Sequence, residues 1–151
     1  MTKICEKINL LWGGAVTVLT AVFGQFWFLF AAFLALNVAD YITGILKAKL
    51  AGKENSVRGA RGIVKKTGYW LLIAIAFFVS YSFGTLGEVI GVNLEMSMLI
   101  GWLTLATFII NEIRSILENL VLIGVVVPKF LVHGLEVAAK KIEQAADYED
   151  K

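Results

Sequence analysis

The stretch that decides the fold is Gln25–Leu46, QFWFLFAAFLALNVADYITGIL, an apolar run broken by two strongly polar side chains, Asn37 and Asp40. At 1.5 Å per residue it is long enough to cross the roughly 30 Å hydrocarbon core of a bilayer as a helix. A carboxylate within such a span costs about 2.5–3.5 kcal/mol at the helix centre, so Asp40 marks a functional polar position rather than filler. Directly after the run come Lys47, Lys49, Lys53, Arg58, Arg61, Lys65 and Lys66, with Glu54 as the sole acid among them. That asymmetry of positive charge sets which side of the membrane each loop occupies.

The composition agrees. Of 151 residues, 58% are hydrophobic and only 17% charged, and the charges gather between long uncharged runs. Soluble domains run nearer 45–50% apolar and about 25% charged. The expected architecture is an all-α integral membrane protein. Four spans are read, at about 8–24, 25–46, 67–86 and 96–116, with a tight turn at Gly24-Gln25. In the alternative there are three spans, and the short N-terminal helix lies in the interface. The run begins with Lys3 and Lys7, but no small-x-small cleavage site precedes a polar start, so it is read as a retained helix rather than a signal peptide. Residues 47–66 read as a basic cytoplasmic loop containing Gly52, Asn55, Ser56, Gly59 and Gly62. The transmembrane part is thus 1–116.

Residues 117–151 form a C-terminal cytoplasmic part. Gly124 and Pro128 interrupt the helix, and Pro128 suits the first turn of the next one. Leu131, Leu135, Ala138 and Ile142 then recur at helical spacing opposite Lys140, Lys141 and Glu143, the pattern of an amphipathic helix at a membrane surface or on the bundle. An acidic tail follows. With Lys3, Lys7, Arg114, Lys129, Lys140 and Lys141 all on the positive side, four spans put both termini in the cytoplasm.

Two polar faces are expected inside the membrane. Asn37, Asp40, Thr43, Gly44 and Lys47 gather towards the end of the second span. On the fourth, Thr104, Thr107, Asn111, Arg114 or Ser115, and Glu118 recur at three- and four-residue steps, and Glu112 adds an acid beside them. Such faces should point at protein or water. Asp40 is expected to pair with Arg114, or with Lys47 of its own chain or a neighbour. Snorkelling, protonation and a water-lined conduit are the other readings. Small residues recur at four-residue steps, as in Ala76, Ser80 and Gly84, and suit close helix approach. Cys5 is alone, His133 is alone, and no catalytic, phosphate-binding or metal-ligand spacing is present, so neither an enzyme nor a cofactor is expected. The basic residues form a short loop rather than a folded basic face, which argues against nucleic acid.

The run Asp40-Tyr41-Ile42-Thr43-Gly44-Ile45-Leu46-Lys47-Ala48 resembles a motif of the toxin-secretion and phage-lysis holin family. Ser56, Gly59, Gly62, Lys65 and Lys66 follow at similar spacing, then Asn111-Glu112-Ile113-Arg114-Ser115-Ile116-Leu117-Glu118-Asn119, and then Gly124 and Pro128. The resemblance covers roughly residues 30–130. It implies a small phage protein of the bacterial inner membrane that accumulates as a homo-oligomer and permeabilises the bilayer, so that an endolysin or a toxin passes. One departure is the stretch Ser80-Tyr81-Ser82, where an acid would be expected. A 16.6 kDa chain cannot enclose a protein-sized hole alone, so many copies are needed. The competing classes are a small ion channel or transporter-like subunit using Asp40 as an ion or proton site, and a membrane adaptor that binds anionic lipid through its basic segment.

Overall fold

The computed structural model describes residues 2–52 and 56–146, and every regular element in them is helical. In order they are α1 (Thr2–Phe23), a single 3-10 turn at Gly24–Phe26, α2 (Trp27–Leu50), α3 (Ser56–Ile90), a second 3-10 turn at Glu95–Ser97, α4 (Met98–Ile123) and α5 (Lys129–Ala146). Three of them, α2, α3 and α4, are long and apolar enough to cross a membrane. The chain is an all-α membrane protein. α1 is a 22-residue helix outside that set of three. The chain packs as two units, divided within α2 between Ala35 and Leu36.

In the first unit, the turn expected at Gly24-Gln25 is present. Gly24 has φ +56°, a left-handed conformation that glycine adopts without a Cβ penalty. The turn lets Phe23 stack on Phe30, with ring centroids 4.6 Å apart and planes 15° apart, and Phe30 in turn meets Phe33 at 6.2 Å.

The second unit is built on the α3–α4 hairpin. Ile73, Ala76, Phe77 and Ser80 of α3 and Gly101 and Leu105 of α4 are buried. Phe77 meets Trp102 edge-on at 5.0 Å, and Tyr69 meets Phe108 at 4.4 Å. Ser80 is fully buried. Its hydroxyl donates to the Ala76 carbonyl at 2.9 Å and accepts the Gly101 N–H at 3.0 Å. That N–H lies in the first turn of α4, so one hydroxyl ties α3 to the start of the next helix. The serine standing where an acid was expected therefore fastens the hairpin. Ala76 and Ser80, two of the recurring small residues, serve this packing within one copy.

Gly101 fits because it has no side chain. A Cβ there would lie 2.9 Å from Phe77 Cδ1 and 3.0 Å from Cγ. Gly101→Ala is therefore expected to cost about 1–3 kcal/mol by overpacking. The loss should appear as a lower unfolding midpoint in detergent micelles, and Phe77→Leu in the same chain should recover most of it. An unchanged midpoint for the single variant would refute the close contact.

Several boundaries differ from the sequence reading. Residues 47–66 are mostly helical: α2 runs to Leu50, Gly52 turns at φ +61°, and α3 already starts at Ser56. Gly59 and Gly62 lie within α3 on its exposed first turns, because a glycine in a helix costs only about 1 kcal/mol. Lys53, Glu54 and Asn55 lie outside the described residues, as does the acidic tail from residue 147. At the other end α3 passes Glu88 and stops at Ile90, where Gly91 turns at φ +72°. α4 continues beyond residue 116 to Ile123, so Glu112, Arg114 and Glu118 are mid-helix charges rather than markers of its end.

The break at Gly124 forms as expected. Gly124 has φ +99°, its N–H bonds to the Val121 carbonyl at 3.0 Å, and the Val125 N–H reaches the Leu120 carbonyl at 2.9 Å. This pair of bonds is the Schellman closure of a helix end. The amphipathic α5 follows Pro128, and none of its residues is buried.

Candidate functional site

Near the Leu50 end of α2, a polar network ties together three helices. Lys66 of α3 is its hub. Its ammonium sits 3.0 Å from Asp40 Oδ2 on α2 and also donates to Glu112 Oε2 on α4. Asn119, one helical repeat beyond Glu112, donates from Nδ2 to Asp40 Oδ1 at 3.0 Å and to Thr43 Oγ1 at 3.2 Å. Its Oδ1 accepts from Lys47 Nζ. The Thr43 hydroxyl donates in turn to the Asp40 backbone carbonyl at 3.1 Å.

The network is well enclosed. The side chain of Glu112 is 4% exposed, that of Asp40 15% and that of Lys66 17%. With two lysines and two carboxylates its formal charges cancel. At an effective dielectric of about 20, a 3.0 Å pair attracts by roughly 5 kcal/mol before desolvation is subtracted. Most of that attraction offsets the loss of hydration, so the arrangement fixes geometry more than it adds net stability. The single lysine facing two acids prevents either carboxylate from standing alone in a low-dielectric site.

Local sequence explains the placement. Asp40, Thr43 and Lys47 lie at three- and four-residue steps on α2, and Glu112, Ser115 and Asn119 do the same on α4. A Cβ built on Gly44 would lie 3.8 Å from Asn119 Nδ2, ordinary contact, so this face of α2 lies directly opposite Asn119. Beside the network is a groove of about 1030 Å³ between the end of α2, the start of α3 and the end of α4. Gly44, Ala48, Gly59, Gly62 and Ser115 line it, and Asp40, Lys47, Lys66 and Asn119 reach it.

The structure brings together Asp40, Thr43, Lys47 and Glu112 of the candidates from sequence, with Gly44 and Ser115 at the edge of the cluster. Asn37 is buried one turn earlier on α2. The expected pair of Asp40 with Arg114 is not formed. Lys66 takes that place, because Arg114 lies on an exposed face of α4. Lys47 bonds to Asn119 instead of directly to Asp40. Asn111 and Glu118 are exposed as well. The polar stripe on α4 lies beside its buried line, which passes through Gly101, Leu105, Glu112 and Asn119, and is exposed at Thr107, Asn111, Arg114 and Glu118. The hydroxyls of Thr104 and Thr107 bond to their own helix at Ile100 and Leu103. Lys66 and Asn119 were missed as partners. The signal for Asn119 was present in its seven-residue spacing from Glu112, whereas Lys66 was hidden in a segment taken for a loop.

Among the described residues no group of three His, Cys, Asp or Glu side chains gathers as a metal site would require. The arrangement can hold helices together through charge, and it can admit water along the groove. A cysteine at Ala48 in a Cys5→Ser background is therefore expected to react with a membrane-impermeant thiol reagent applied from the side of the Leu50 end. Phe78→Cys, at a position 73% exposed on the apolar middle of α3, should stay unlabelled. Equal labelling of the two would refute a water-filled groove.

Residues 17–140 match the sequence model of the bacteriophage holin family. An uncharacterised protein of Listeria innocua is 32% identical over 149 residues, covering 99% of this chain and 97% of its own length. An uncharacterised protein of Halalkalibacterium halodurans is 31% identical over 130 residues, covering 85% and 92%. A probable holin of Bacillus phage phi105 is 28% identical over 118 residues, covering 78% and 79%. No solved structure matches the chain.

Proposed function

Because the chain belongs to the bacteriophage holin family, we propose that it is a phage holin that oligomerises in the bacterial inner membrane and permeabilises it, without catalysing any reaction. The observation that carries this reading is the likeness over most of the chain to a protein named as a probable holin. The physical features agree with it. Three helices suited to crossing a bilayer surround a polar network that hydrocarbon alone would not tolerate. One copy of 16.6 kDa is too small to form a hole for a folded enzyme, so release of an endolysin, or of a toxin, requires assembly of many copies.

In this reading the basic turns at the end of α2 and the start of α3, with Lys47, Lys49, Arg61, Lys65 and Lys66, face the cytoplasm. α1 is a fourth, shorter crossing that returns the N-terminus to the cytoplasm, where α5 also lies. The network closes the inner end of each copy until copies accumulate.

Induced expression in a bacterium, with and without a co-expressed endolysin, tests the proposal. The expected course is abrupt loss of membrane potential at a set time in both cultures, with lysis only where the endolysin is present. Continued growth with intact potential at high protein level would overturn it. Loss of potential without release of a cytoplasmic reporter enzyme would instead favour a small ion channel.

A further inference from the structure

The outer face of α4 is polar where a lipid-facing helix should be apolar. Thr107, Asn111, Arg114 and Glu118 are all exposed, and at 3.6 residues per turn they fall within an arc of roughly 60°. Exposed apolar residues, Ile100 above and Val121 and Leu122 below, continue that arc towards both helix ends. Asn111 stands at the middle of the helix, about 18 Å from the nearer end at 1.5 Å per residue. Among the described residues, the side chains of Asn111, Arg114 and Glu118 make no hydrogen bond or ion pair within the copy.

We propose that this face is the contact between copies of the chain, with two copies inserted in the same direction meeting α4 against α4. The argument rests on complementarity. In a parallel pair at equal depth, Asn111 meets Asn111 of the second copy, and each amide both donates and accepts. Arg114 and Glu118 are about 6 Å apart along the axis, within reach of the long arginine side chain, so each copy offers a cation and an anion to the other. Asparagine and charged pairs of this kind hold helices together in membranes, where lipid gives them no partner. Lipid alone as the occupant would leave Arg114 and Glu118 without the partner of opposite charge that a second copy supplies. The inference rests on the reading of the chain as a self-assembling membrane protein.

Cysteine cross-linking of the full chain in bacterial membranes tests it, in a Cys5→Ser background. Thr107→Cys and Asn111→Cys should form disulfide-linked dimers on mild oxidation at least tenfold more efficiently than Phe78→Cys, whose position on α3 is 73% exposed. Equal or lower yields at 107 and 111 would overturn the proposal. Arg114→Glu added to Thr107→Cys should lower the yield at least fivefold, and Glu118→Arg in the same chain should restore it. An unchanged yield in the single reversal, or no restoration in the double, would refute the ionic contact. Loss of membrane potential is recorded in the same cells. Cross-linking without permeabilisation keeps the contact and removes the holin reading, whereas permeabilisation without cross-linking does the reverse.

Discussion

Replacing Lys66 by methionine is expected to be the most damaging single change in the chain, lowering stability by about 3–5 kcal/mol, as for other buried ion pairs stripped of one partner. The ammonium serves two acids at once, Asp40 and Glu112, whose side chains are only 15% and 4% exposed. Without it, two carboxylates share a poorly hydrated space with no opposing charge between them. Denaturant unfolding of the purified protein in mild detergent measures the loss. Neutralising all three positions together, with Asp40→Asn, Lys66→Met and Glu112→Gln, should recover much or all of the stability, because no unpaired charge then remains. Normal stability in Lys66→Met alone would show that the hub carries no weight. Recovery in the triple variant would also separate a stabilising role from a functional one, since the lysis assay on that variant asks whether charge itself is needed.

Asn119→Leu is expected to have the second largest effect, about 3 kcal/mol, from two hydrogen bonds to charged groups at roughly 1.5 kcal/mol each. The side chain joins Lys47 to Asp40 and has no replacement nearby: its amide nitrogen donates to Asp40 and Thr43, and its oxygen accepts from Lys47. Leucine fills similar volume but leaves Lys47 and half of Asp40 unpaired. Asn119→Asp supplies acceptors only and places a second carboxylate against Asp40, so it should be at least as harmful. Adding Asp40→Asn to that variant should relieve it. The same unfolding assay reads each case, and a Leu variant as stable as the parent would refute the bridging role.

How much of this was legible in the residues differs from element to element. The second, third and fourth apolar helices follow from the length and hydropathy of their runs, which the bilayer fixes almost alone. Asp40 stood out for the same reason: a carboxylate in an apolar run has no bland explanation. The end of α4 at Gly124 and the restart after Pro128 were legible because left-handed turns and proline leave direct marks in sequence. The partner of Asp40 was not. Choosing among Arg114, Lys47 and Lys66 depends on the rotation of α4 about its own axis, and one residue of displacement turns a helix by about 100°. Glu112 and Asn119, rather than Arg114 and Glu118, face inward because Gly101 and Leu105 of the same line seat α4 against α3. That is a packing decision that polar spacing alone does not carry. Lys66 was hidden for another reason. Glycines at 59 and 62 argue for a loop, and only the continuation of α3 through them brings Lys66 to a fixed depth.

The 35-residue length of α3 has a further consequence. At 1.5 Å per residue it measures about 52 Å, some 22 Å more than a hydrocarbon core of about 30 Å. Its uncharged part alone, Thr67–Gly87, is about 32 Å long, so burying all of it in that core requires a tilt of roughly 18°. Lys66, clamped between α2 and α4, forbids α3 from sliding along its axis to relieve the excess. The mismatch must instead be absorbed by leaning the α3–α4 hairpin as one body or by thickening the surrounding lipid. Membrane thickness thereby becomes a variable of this protein: thin bilayers lay the hairpin down, thick ones stand it up, and lipid strained around one copy favours the approach of the next.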